Sequence, residues 1–131
     1  MYNYGWGEDP YALPGGPALT DAVRTFATGM MSGEEFQQIF LNSTVYCQRG
    51  DRPGFLTLSD APHPIIPMFS SLEELKEYAG GEPRHFSGTG LEMLDLLPNG
   101  HAIVLDMAGE HRVVLDAMAI EELLLYSARR Y

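Results

Sequence analysis

One short segment, residues 67–75, most constrains how this chain can fold. An apolar stretch that ends at Phe69 suits an extended strand, and the spacing of Ser70 and Glu73 is that of a capping box, in which two side chains satisfy exposed backbone donors at a helix start. The segment therefore predicts a strand that leads directly into a helix. Because Pro67 cannot donate to a β-ladder, this strand is expected to be interrupted or to lie at a sheet edge.

A second constraint is the apolar run from His101 to Asp106. Ile103–Leu105 shows no alternation of apolar and polar residues, which predicts a central strand covered on both faces. A second β-rich run, His111–Leu115, follows after a short turn. The two runs predict a hairpin in which Asp106 lies opposite His111.

The remaining elements follow from caps, periodicity and turn residues. Helices are predicted at residues 17–28, from 32 onward, 70–80, 91–97 and 116–129, and strands at 43–48, 55–58, 65–69, 84–87, 101–106 and 111–115, with a turn at 88–90. Strands and helices come in clusters, with hairpins where strands adjoin. This order predicts a single α+β domain at residues 18–131, in which helices pack on a mainly antiparallel sheet.

Composition narrows the classes of partner and compartment. Eight Lys+Arg residues against eighteen Asp+Glu residues give a formal net charge of −10. That charge repels phosphate, so we expect no binding to nucleic acid or to an anionic membrane surface, and a basic partner or cations are favoured. A single cysteine, Cys47, excludes an internal disulfide. Without a signal-peptide pattern or a long apolar stretch, the chain is expected to be cytoplasmic.

Residues 1–17 differ from the rest of the chain. Tyr4, Trp6 and Tyr11 are interleaved with glycine and proline, and no helical or strand period is present. Aromatic side chains at this density suit docking into a groove of the same molecule or of a partner. We therefore predict an amino-terminal arm whose three aromatic residues bind a partner.

Most of the chain, from Leu19 to Leu125, resembles the SseB amino-terminal domain family, small bacterial proteins named for an enhanced-serine-sensitivity phenotype. The residues that carry the resemblance are Phe36, Phe40-Leu41, Ser43–Tyr46, Pro67–Ser71, Leu72, Leu75, Gly88, Leu94–Leu97 and His101–Asp106. They are mostly core and turn positions. The family often has Asn-Pro after the late central strand, where this chain has Asp106-Met107.

The resemblance implies an α+β domain with a cytoplasmic accessory or interaction role, common in actinobacteria. Similar domains occur near secretion or toxin–immunity loci in some genomes. Many relatives also carry a carboxy-terminal domain, which 131 residues are too few to include.

No pattern predicts a catalytic residue, a metal site or a cofactor. The four histidines lack ligand spacing, and Cys47 lies on a predicted strand as a small buried residue. Gly88 and Gly90 form only half of a nucleotide-binding fingerprint. Paired carboxylates such as Glu73-Glu74 lie near helix amino termini, where they face water and favour the helix dipole. We therefore expect a protein that is not an enzyme.

The closing helix carries the main functional prediction. Ile120, Leu123 and Leu124 cluster on one side and dock the helix on the sheet, whereas Met118 and Leu125 share the opposite side. Glu121, Glu122 and Arg129 surround that outward pair. An apolar pair within a charged rim is typical of a protein contact surface, so we predict that Met118 and Leu125 bind a protein partner or a second copy of the chain, with the amino-terminal arm folded over them.

An alternative function remains open from the sequence. A pocket around Tyr46, His85 and His111 would make the chain a small-molecule or peptide-binding domain, or an enzyme of unrecognised type.

Overall fold

The computed structural model describes residues 18–50, 54–58 and 64–130, so the predicted arm lies outside it. The helices are α1 (Leu19–Ala27), α2 (Gly33–Asn42), α3 (Leu72–Ala79), α4 (Gly90–Leu96) and α5 (Ala117–Arg130). The strands are β1 (Thr44–Gln48), β2 (Ile65–Met68), β3 (His85–Thr89), β4 (Ala102–Leu105) and β5 (Val113–Leu115). The predicted α+β fold with a mainly antiparallel arrangement is confirmed.

The strands form two small sheets that meet at a single bridge. β1 pairs with β3 antiparallel, and β4 pairs with β2 parallel and with β5 antiparallel. Tyr46 of β1 and Phe69, just after β2, exchange two backbone hydrogen bonds of 2.9 Å. The order β3-β1-β2-β4-β5 places β4 between two partners, and all four of its residues are buried. The predicted central strand is confirmed.

Pro67 explains why the two sheets meet only at a bridge. On the side of β2 that faces β1, Ile65 forms an isolated bridge with Leu58, and Phe69 forms one with Tyr46. Pro67 lies between these two bridges. Its missing N–H therefore falls where the ladder is already broken. The prediction for this strand is confirmed: β2 is the edge strand of the sheet β2-β4-β5, and toward β1 it makes only isolated bridges. The predicted strand at 55–58 makes isolated bridges only.

The β4–β5 hairpin has a different register from the predicted one. Leu105 pairs with Val113, so Asp106 does not lie opposite His111. The reason is local: Asp106 adopts a left-handed conformation with φ of 56°, and its carbonyl accepts a hydrogen bond of 2.9 Å from the Gly109 N–H. This turn starts at Asp106, so the loop between β4 and β5 is longer than that of a tight hairpin.

Helix starts follow the predicted chemistry with two corrections. Ser32 and Asp116 accept hydrogen bonds from Glu35 N–H and Ala119 N–H, as expected of N-caps. At α3, however, the cap is Ser71, which accepts from Glu74 N–H, and Ser70 is used elsewhere. The predicted turn at 88–90 is also wrong: β3 continues through Thr89, which forms a complete capping box with Glu92 at the start of α4.

Helices pack on both faces of the sheet, and on β5 only Val114 stays exposed. Alternate residues of β1, β2, β4 and β5 pack with α1, α2, α4 and α5 in the main core: Val45, Cys47, Ile66, Met68, Ile103, Leu105, Val113 and Leu115. On the other face, the ring of Phe69 lies 5.2 Å from the ring of Tyr78 in α3. Gly90 explains how α4 fits against α2, since a Cβ there would lie 2.1 Å from the Phe40 carbonyl oxygen. That close approach accounts for a glycine of the half fingerprint without any nucleotide.

Candidate functional site

Helix α5 docks through one side only. Ile120 and Leu123 are buried in the core, whereas the side chains of Met118 and Leu125 are 72% and 60% exposed. The two residues therefore lie where the sequence pattern places them, on the outward side. The prediction for Leu124 is only partly right, because this residue was expected to pack on the sheet and its side chain is 38% exposed.

A further exposed apolar side chain lies on β5, just before α5 in the chain. Met118 and Ala102 line one cavity of about 260 Å³ at the start of β4. Ala102 and Val104 are two residues apart on one face of β4, and Val104 pairs across the strands with Val114. Val114 is 60% exposed on β5, which has no strand partner on its far side among the described residues. We refer to Val114, Met118 and Leu125 as the α5–β5 surface.

Acidic residues border the α5–β5 surface. Glu121 and Glu122 lie on the turn of α5 between Met118 and Leu125, and both are exposed. Asp116 is also exposed and lines the Met118 cavity. The surface thus combines exposed apolar side chains with a negative rim. The arm residues Tyr4, Trp6 and Tyr11 lie outside the described residues, so their role stays a prediction.

The alternative pocket is not assembled as predicted. The rings of Tyr46 and His85, on the paired strands β1 and β3, have centroids 6.4 Å apart. His111 instead lies in the β4–β5 connection, where it lines a cavity of about 190 Å³ together with Arg24 and Asp106. None of the cavities described here is lined by all three residues.

A buried polar cluster joins the ends of the parallel strands β2 and β4. The backbone N–H of Ser70 donates to Asp106 Oδ1 at 2.8 Å, and its hydroxyl donates to Asp106 Oδ2 at 2.6 Å. Because that hydroxyl proton is used, the Thr20 hydroxyl donates in turn to Ser70 Oγ, at 2.8 Å. The chain Thr20–Ser70–Asp106 links α1 to both strands, and Asp106 is only 3% exposed.

Sequence reasoning missed this cluster. It assigned Ser70 to the helix cap, although the adjacent Ser71 is the residue that caps α3. The surplus serine, together with a carboxylate at the end of a buried strand, was the available signal. The arrangement is a structural brace, since burial and two partners hold the Ser70 hydroxyl.

Glu74 adds a second carboxyl group beside Asp106, contrary to the expectation that it faces water. Its Oε1 is buried without a hydrogen-bond partner and packs against Gly109, whose added Cβ would lie 2.8 Å away. Desolvation raises the pKa of Glu74, and the negative charges of Asp106 and Glu77 raise it further. Burial likewise raises the pKa of Asp106, although the hydrogen bonds from Ser70 oppose that shift.

The raised pKa of Glu74 predicts that Glu74→Gln is more stable than the parent chain at pH 7. A carboxyl group with a raised folded-state pKa stabilises the fold below its ordinary value of 4.5, and this contribution is lost as pH rises through the folded-state pKa. The uncharged amide avoids that loss. The stability difference should therefore shrink between pH 7 and pH 4, measured by urea denaturation at each pH.

Glu73→Gln is the matched control, since it removes the same charge from an exposed position one residue away. Its stability should differ little from that of the parent chain at both pH values. A Glu74→Gln variant that is less stable than the parent at pH 7 would contradict the prediction.

Comparison with known families places this fold. The family described as SseB protein N-terminal domain matches residues 19–122, which covers most of the chain. The chain belongs to this family. No curated protein and no solved structure gave a significant match.

The carboxy-terminal end of the SseB match separates the residues of the candidate sites into two groups. The match includes α1 to β5 and the first turns of α5, and it ends before Leu123. Met118, Val114 and the Ser70–Asp106 brace therefore lie inside the matched region, and Leu125 lies beyond it.

The cysteine thiol and the possible metal ligands of this SseB domain form no reactive site among the described residues. The Cys47 thiol is buried, lies 3.9 Å from Met93 Sδ, and has a pKa raised to about 12 by burial, so it stays protonated and unreactive. Within the described ranges, no three His, Cys, Asp or Glu residues are grouped to hold a metal ion, and no helix is long and apolar enough to cross a membrane.

Proposed function

We propose that this SseB domain is a non-enzymatic module that binds a protein partner on the α5–β5 surface. The observation that carries the proposal is the exposure of Met118 and Leu125 on a helix that already docks through its other side. Val114, exposed on β5 just before this helix, is a further apolar side chain near Met118 in the chain. Apolar side chains inside a polar rim suit the centre of an interface.

Charge narrows the kind of partner. The rim of Asp116, Glu121 and Glu122, on a chain of net charge −10, favours a protein with an apolar centre surrounded by Lys or Arg. Two copies meeting through this surface would bring like charges together, so we place a basic partner ahead of a homodimer. The same charge argues against nucleic acid as the ligand.

The non-enzymatic part of the proposal is supported by the state of the two best nucleophiles. The Ser70 hydroxyl is tied to Asp106 and Thr20, and the buried Cys47 thiol has a raised pKa. Neither group is free to attack a substrate. The SseB resemblance extends the proposal to a cytoplasmic accessory or regulatory role, with a partner drawn from a secretion or toxin–immunity system.

The test replaces both Met118 and Leu125 by glutamate and compares capture of basic proteins from the native host. Loss of the hydrophobic centre should reduce the affinity for the captured partner at least about tenfold, measured by calorimetry with the purified partner. Stability should change by no more than about 0.5 kcal/mol per site, since both positions are exposed. Light scattering reports whether a second copy is the partner.

Met30→Glu is a matched control for Met118→Glu, because it places the same charge at an exposed methionine between α1 and α2. It should leave binding unchanged. A partner that binds the double variant as tightly as the parent chain would contradict the proposed surface. A misfolded double variant would show that α5 is buried on both sides, and the proposal would fall.

A further inference from the structure

The largest cavity described for this chain lies away from the α5–β5 surface. It has a volume of about 500 Å³ and is lined by Arg49, Gly54, Phe55, Thr57, Phe86, Leu96 and Pro98. These residues come from the end of β1, the segment that bridges to it, β3 and the end of α4. The volume falls in the range of small-molecule sites, and the mixture of an apolar lining with a few polar groups is the usual composition of such sites.

One wall of this cavity is aromatic. The rings of Phe55 and Phe86 lie 5.3 Å apart at an angle of 44°, and both side chains are only half-buried. A further apolar contribution to the lining comes from Leu96, which is largely exposed although it follows the buried residues of α4. A flat apolar group inserted here would cover Leu96 and stack on the aromatic pair.

Arg49 supplies the polar group that would select a ligand. Its guanidinium carbon lies 5.5 Å from the centre of the Phe86 ring, and its backbone N–H donates to the Arg84 carbonyl at 2.9 Å. Among the described residues, no carboxylate pairs with Arg49, and none lines the cavity. A guanidinium group held on an aromatic face presents its fork to a carboxylate, which it binds through two parallel hydrogen bonds.

We propose that this cavity binds an organic carboxylate with a flat apolar body. The apolar body would stack on Phe55 and Phe86 against Leu96, and the carboxylate would bind Arg49. Charge supports this choice, since a chain with a formal charge of −10 disfavours anions in general, whereas Arg49 pairs with no carboxylate among the described residues. The site is separate from the proposed protein-binding surface and does not depend on it.

The experiment uses the full chain with three probes of one shape: naphthalene-2-carboxylate, its amide, and 2-naphthylmethylamine. Chemical-shift titration should show saturable binding of the carboxylate, with shifts centred on Phe55 and Phe86. The amide should bind at least about tenfold more weakly, because it lacks the charge-assisted bond to Arg49. The amine should bind more weakly still, although the net charge of the chain attracts it.

Two variants locate the effect. Arg49→Met keeps an apolar stem but removes the guanidinium, and it should weaken carboxylate binding at least about tenfold. Arg84→Met removes the same charge from an exposed neighbouring residue outside the cavity lining, and it should change affinity less than about twofold. Equal losses in both variants, equal affinity for carboxylate and amide, or no saturation would each overturn the proposal.

A tetrapeptide ending in phenylalanine carries the same carboxylate and a ring, and it identifies the source of the ligand. Tighter binding than that of naphthalene-2-carboxylate would assign the cavity to peptide carboxyl termini. Weaker binding that still depends on Arg49 would assign it to free organic acids.

Discussion

Val104→Asp is expected to destabilise the domain by about 3–5 kcal/mol, which is enough to unfold a protein of ordinary stability. Val104 is 6% exposed on β4, between Pro67 of β2 and Val114 of β5. An aspartate there would place a carboxylate in the middle of the sheet with no cation beside it. Thermal and urea denaturation would measure the loss, and an insoluble product would agree with it.

Val114→Asp is the matched control, because Val114 is the cross-strand neighbour of Val104 on the same face of the sheet. It is exposed, so the new carboxylate stays in water and the cost should be about 1 kcal/mol or less, mainly from lost β-propensity. Equal effects at both positions, or an unchanged Val104→Asp variant, would show that β4 is not covered on both faces.

Features governed by near neighbours in the chain were predictable. Ser32 and Asp116 cap their helices as their spacing indicated, and the unbroken apolar run at Ile103–Leu105 is the central strand. The periodicity of the closing helix correctly placed Met118 and Leu125 outside. Each of these features depends on contacts within a few residues, or on burial of a whole element.

Features governed by distant contacts were not predictable. The hydrogen bonds from Ser70 to Asp106 join residues 36 positions apart. In the sequence, a serine that binds a distant carboxylate cannot be told from a serine that caps a helix. The parallel pairing of β2 with β4 is equally invisible in either strand alone. Because His111 follows the left-handed turn at Asp106, the structure brings it to Arg24 and not to Tyr46.

The candidate sites show the same division. The α5–β5 surface was half predicted: helical periodicity identified Met118 and Leu125, but only the strand register adds Val114. The Arg49 cavity could not be predicted, since Phe55 and Phe86 are brought together by separate pairings of β1 with its neighbours. Sequence periodicity identifies faces, and tertiary pairing decides which faces meet.

Gly90→Ala is expected to destabilise the domain by about 3 kcal/mol or more, the opposite of what helix propensity predicts. Alanine in place of glycine within a helix normally gains up to about 1 kcal/mol. At Gly90, however, the new methyl group would lie 2.1 Å from the carbonyl oxygen of Phe40 and 2.8 Å from its carbonyl carbon. These are backbone atoms of α2, so relief requires α2 and α4 to move apart.

That movement would also stretch the hydrogen bond of 3.0 Å from the Gly90 N–H to the Ser43 carbonyl, which holds the start of α4 against the end of α2. Gly33→Ala, at the first residue of α2, is the matched control, because a Cβ there meets nothing within 4 Å. It should be neutral or slightly stabilising in urea denaturation. If Gly90→Ala instead matches Gly33→Ala, the two helices are not in backbone contact, and the packing of α2 on α4 described here is incorrect.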